Sequence, residues 1–73
     1  MINFRNLKIA INDQQPLDEV VRELENQGLR KVEIVGAEKG VNIYVDSYRG
    51  EFFEDGRNLG FYVLTTIAEL KEM

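Results

Sequence analysis

Leu7, Ile9 and Ile11 alternate with Lys8, Ala10 and Asn12. That two-residue period predicts a strand with one buried face. The polar run Asn12-Asp13-Gln14-Gln15 ends the pattern and predicts a loop. From Pro16 the period lengthens. Leu17, Val20, Val21 and Leu24 stand at i, i+3, i+4 and i+7, one apolar stripe on a helix. Pro16 suits the first helical position, where a missing N–H costs nothing. Asp18 and Glu19 follow where the helix dipole favours negative charge. Asp18 and Arg22 are four apart and able to pair. Gly28 is expected to stop the helix in a left-handed conformation, with Leu29 folding back onto Leu24. The helix is predicted over 16–27.

Strand period returns between Arg30 and Val35, where Val32 and Ile34 alternate with Lys31 and Glu33. Gly36-Ala37-Glu38-Lys39-Gly40 reads as a short turn into a third strand, Val41 to Tyr48. A turn this short predicts an antiparallel hairpin between the second and third strands. Gly50 to Gly60 has no clear period and is expected to be irregular, a turn or a short helix interrupted by Gly56, with Phe52, Phe53 and Leu59 inward. Phe61 to Leu64 reads as a short buried strand. Thr66 and Glu69 then match a capping box, which predicts a C-terminal helix from Ile67 with Leu70 inward. The fold class is α+β, a two-layer α/β sandwich of order β-α-β-β-irregular-β-α. Its first unit is a right-handed βαβ crossover. In element order alone it resembles a ferredoxin-like sandwich. No family signature accompanies that resemblance.

With 73 residues the chain is expected to be one domain, 1–73. A domain this small buries only about 60% of the surface its unfolded chain exposes. It contains neither Cys nor His. Disulfides are impossible, and zinc would need an unusual all-carboxylate site. Tight packing and self-association remain as sources of stability. The uncharged run Gly60 to Ala68 is far shorter than the roughly 20 apolar residues of a membrane span. The opening MINFRNLKIAIN carries Arg5 and Lys8 among its apolar residues and does not read as a signal peptide. No membrane association and a cytoplasmic location are expected. The net charge is −4, with six basic and seven acidic residues up to Gly40 and three against six after it. That sign disfavours a general nucleic-acid binder.

Catalytic chemistry finds little to work with. Ser47 is the one Ser, has no His to activate it, and sits outside any GxSxG pattern. Gly36 and Gly40 lack the GK[ST] ending of a phosphate loop. Gly56-Arg57-Asn58-Leu59-Gly60 is GxxxG-like but is not in an apolar span. Asp46, Glu51, Glu54 and Asp55 cluster within ten residues. Their spacing is not that of a calcium loop, and a solvated acidic loop is the ordinary reading. No catalytic residue, metal site or cofactor is implied.

The sharpest asymmetry is aromatic. Tyr44, Tyr48, Phe52, Phe53, Phe61 and Tyr62 lie between 44 and 62, and only Phe4 stands apart. Phe53 and Phe61 are expected in the core. Alternation places Tyr44 and Tyr48 opposite Val41, Ile43 and Val45. With the helix covering the Ile43 face, the two rings should lie on an open sheet face. Lys8, Ala10, Lys31, Glu33, Val35 and Asp46 are expected beside them. An apolar centre with a charged rim is the anatomy of a protein contact. The sequence therefore points to a non-enzymatic interaction or regulatory module. Its contact residues would be Tyr44, Tyr48, Lys8, Lys31, Glu33 and Asp46, and its partner an unidentified protein or a second copy. The alternative is single-stranded nucleic-acid binding through Tyr44, Tyr48, Lys8 and Lys31. A carboxylate enzyme using a divalent cation ranks third.

Overall fold

The computed structural model describes residues 6–72, so Phe4 and Arg5 lie outside the described residues. The elements are β1 (Asn6–Ala10), α1 (Leu17–Asn26), β2 (Arg30–Lys31), β3 (Asn42–Asp46), β4 (Glu51–Glu54), β5 (Val63–Thr65) and α2 (Ile67–Glu72). The five strands make one mixed sheet in the order β2-β4-β3-β1-β5. The class is α+β.

The ferredoxin-like order does not form. β2 pairs parallel with β4, not antiparallel with β3. The antiparallel hairpin is instead β3–β4, with Val45 opposite Phe52 and Tyr44 opposite Phe53. Its turn is set by Gly50, whose φ of 68° suits glycine. Arg49 N–H also donates to the Asp46 carboxylate there. The 50–60 stretch is thus irregular only from Asp55 onward. It begins as a strand in which Phe52 and Glu54 are buried and Glu51 and Phe53 partly covered, so an apolar and a charged residue share each face and the sequence shows no apolar–polar alternation. Conversely, Val32 to Val35 alternates in sequence but leaves the sheet after Val32 N–H donates to the Phe52 carbonyl.

The apolar stripe of α1 behaves as its spacing requires. Val20 and Leu24 are fully buried against Leu7, Ile9, Ile43, Val45 and Phe52, and Leu70 from α2 completes the same core. Each such side chain contributes about 1.5–3 kcal/mol by leaving water. Pro16 stands one position earlier than expected, at the N-cap, with extended ψ of 157°. Its carbonyl accepts from Glu19 and Val20 N–H. Gln15, buried before it, donates to the Ala10 carbonyl and accepts from Ile67 N–H. One amide thereby ties the end of β1 to the start of α2. Thr66 Oγ1 accepts from Glu69 N–H and donates to the Glu69 carboxylate, so the capping pair forms by a hydroxyl contact on its return side.

At the other end of α1, Leu29 N–H donates to the Leu24 carbonyl and Gly28 N–H to that of Glu25. These are the two bonds of a Schellman ending. Gly28 has φ of 90°. Nothing lies within 4 Å of where its Cβ would be, so only backbone strain opposes a side chain. Gly28→Ala is expected to destabilise by about 1–2 kcal/mol despite alanine's better helix propensity. Urea unfolding checks this, and an unchanged or higher midpoint would show that the ending tolerates a side chain.

Candidate functional site

One sheet face carries the core just described. The other was expected to be open, and it is not. Tyr44 points to that second face and is fully buried. The segment from Asp55 to Tyr62 crosses over it. The Tyr44 hydroxyl donates to the Arg57 carbonyl and accepts from Leu59 N–H at 3.2 Å. Its ring stacks on Phe53 at 5.6 Å and meets the edge of Tyr62 at 4.7 Å. Lys8, opposite Tyr44 on β1, holds Nζ 5.9 Å from the ring centroid and donates to Asn58 Oδ1. Burial, together with the Asp46 and Tyr44 charges, pushes the Tyr62 phenol up from its ordinary value. This is a second, aromatic core roofed by a loop. The alternation of β3 was read correctly, but alternation cannot show that a distant segment returns to cover a face.

The remaining expected contact residues do not gather around Tyr44. Tyr48 is 79% exposed in the β3–β4 turn. Asp46 lies at the end of β3, 3.6 Å from Arg49. Lys31 sits beside Phe52 on the helix side at the β2 edge, where it pairs with Glu54 at 3.0 Å. Glu33 pairs with Lys39 at 2.6 Å in the loop beyond β2. The postulated island of six residues is thus scattered over a roofed face, a turn and a sheet edge. Val35 is fully exposed in the same loop as Glu33.

The acidic cluster is dismantled by local partners. Glu51 pairs with Arg30, and the Asp55 carboxylate is gripped by the Arg57 guanidinium and backbone N–H. Among the described residues no three carboxylates come together as a metal site. A hollow of about 420 Å³ lies between the 34–38 loop and Asp55-Gly56-Arg57. Its one buried carboxylate is Asp55, already neutralised by Arg57.

Glu54 acts as a clasp. It is 4% exposed, accepts from Gly40 N–H at 2.8 Å, and pairs with Lys31. It joins β4, β2 and the end of the 32–41 loop. Burial pushes its carboxyl up, but the Gly40 N–H, Lys31 and Lys39 outweigh that, so it sits below its ordinary range. A depressed folded value means stability that is fully present above the unfolded carboxyl value, about 4.3. That stability drains as pH falls below it and is gone once the folded value is passed. Melting curves taken down from pH 7 should show an acid limb that flattens in Glu54→Gln. An equally steep limb in the variant would place the titration elsewhere, with Asp55 the next group to test, since Arg57 holds it low as well.

What the structure does expose is β5. It was read as a buried strand, with Phe61 in the core. Phe61 is 91% exposed, Leu64 67% and Val63 52%. Among the described residues β5 is the last strand of the sheet and is paired with β1 alone. Leu64 stands beside Lys8 on the roofed face and Val63 beside Leu7 on the helix face. At a sheet edge neither face is fully covered, and apolar composition by itself does not distinguish an edge strand from a central one. The absence of charge from Gly60 to Ala68 was the signal available in the sequence.

No protein-family model matches the chain, and no curated protein or solved structure matches it at a significant level. Among the described residues no helix is long and apolar enough to cross a membrane.

Proposed function

We propose that this chain is a non-enzymatic module that works by protein–protein contact, and that its contact surface is the β5 edge and not the face of Tyr44 and Lys8. The observation that carries the reading is the concentration of exposed Val63 and Leu64 on β5, with exposed Phe61 in the turn just before it, at a strand whose outer side has no neighbour among the described residues. An open strand edge offers a row of backbone donors and acceptors to an added strand, and its side chains supply selectivity. The nucleic-acid alternative loses its stacking platform, because Tyr44 lies under the Asp55–Tyr62 segment and Lys8 is engaged by Asn58. An enzyme built on the acidic cluster loses its convergent carboxylates to ion pairs.

The test is paired capture from the native host with the wild-type chain and with Leu64→Lys, after circular dichroism has shown both folded. The reading expects a protein retained by the wild type and lost from the variant. Equal retention by both would move the contact away from β5. A salt-sensitive mobility shift with oligonucleotides, abolished by Lys8→Ala, would restore the nucleic-acid alternative.

A further inference from the structure

The edge-contact reading leaves the occupant open, and the following inference rests on it. We propose that the β5 edge is filled by a second copy of this chain, β5 against β5 in antiparallel pairing across a two-fold axis. The two edges of the sheet differ in kind. Both are short, two residues in β2 and three in β5, but in β2 both Arg30 and Lys31 are tied to β4 carboxylates. Charge is a usual protection of an edge. β5 has neither charge nor proline nearby: no Asp, Glu, Lys, Arg or Pro occurs from Asn58 to Ala68. One edge is blocked and the other is left ready.

The chemistry of the open edge selects its own sequence. An occupant must be an extended, uncharged segment with apolar residues on both faces, because Val63 and Leu64 point to opposite sides. Val63-Leu64-Thr65 is such a segment, with the exposed Phe61 ring beside it. Antiparallel pairing with itself sets no like charges opposite one another, and aromatic and β-branched cross-strand pairs are favourable. An acidic or basic strand would bury a charge against Val63 or Leu64 without a counter-ion. Two-fold pairing also closes the assembly. It consumes the open edge of both copies and leaves only the blocked β2 edges outside, whereas head-to-tail addition would have to use β2 and would propagate.

The area sets the strength. A standard interface needs about 800 Å² from each partner. That would be roughly a sixth of this molecule's 4782 Å² surface, more than one short strand supplies. The dimer is therefore expected to be modest, with a dissociation constant on the order of tens to hundreds of micromolar.

Sedimentation velocity of the full chain, from about 1 µM to about 1 mM, reads this directly. The wild type should pass from monomer to dimer. Leu64→Lys should weaken the dimer at least about tenfold, and Phe61→Asp, at a 91% exposed position where folding is spared, should do the same. Tyr48→Ala, in the distant turn, should leave it unchanged. A wild type that stays monomeric throughout overturns the second copy as occupant. So does a dimer that both β5 variants leave intact. Failure here is distinguishable from failure of the broader reading: a monomeric chain that still loses a captured host protein on Leu64→Lys keeps the edge contact and loses only the homodimer.

Discussion

Tyr44→Ala is expected to destabilise the fold by about 3–5 kcal/mol. A chain of 73 residues has roughly 4–11 kcal/mol to lose, so the substitution should remove from about a quarter to all of its stability. The magnitude follows from what the ring holds. It is fully buried between Phe53 and Tyr62, and its hydroxyl serves both the Arg57 carbonyl and Leu59 N–H. Tyr44→Phe separates the two contributions. It keeps the ring and removes one oxygen that satisfies two backbone groups, for an expected loss of about 1–3 kcal/mol. Chemical unfolding of both variants checks the order. A folded Tyr44→Ala with near-parent stability would mean the face is open after all.

Leu24→Ala should cost about 2–5 kcal/mol. Leu24 is fully buried at the C-terminal end of the α1 stripe, and its carbonyl anchors the Schellman bond from Leu29. The side chain has no surface to relax toward, since it is fully enclosed in the core that α1, the sheet and Leu70 of α2 share. The loss should appear as a lower denaturant midpoint with an unchanged slope. A shift of a degree or two in melting temperature would show that α1 does not pack on the sheet in this way.

These two residues mark what was and was not legible in the sequence. Leu24 belongs to an element whose period, cap region and glycine stop all agree, so α1, its buried face and its ending could be read from local pattern. β1 and the inward set Ile43 and Val45 were legible for the same reason. Sheet order was not. Val32, Ile34, Val41 and Ile43 alternate equally well for a β2–β3 hairpin, and the choice of β4 as partner is made by long-range contacts. These include Val32 N–H to the Phe52 carbonyl and the Glu54 clasp on Lys31 and Gly40. Tyr44 was placed on its proper face and yet misjudged. The roof over it is a segment without period, and only its hydroxyl, its neighbour Tyr62 and Asn58 reveal the cover. Phe61, Val63 and Leu64 were misjudged in the opposite sense, because an uncharged apolar run does not say which end of the sheet order it will occupy.

The central claim, that contact is made through the β5 edge, is most directly tested by amide shifts of isotope-labelled chain titrated with unlabelled chain and, separately, with a captured host protein. The account expects the shifts to concentrate on Phe61 to Thr65 and on the adjoining β1 residues, with the Tyr48 turn and the Val35 loop unmoved. Shifts centred on Tyr48 or Val35 with β5 silent would contradict it.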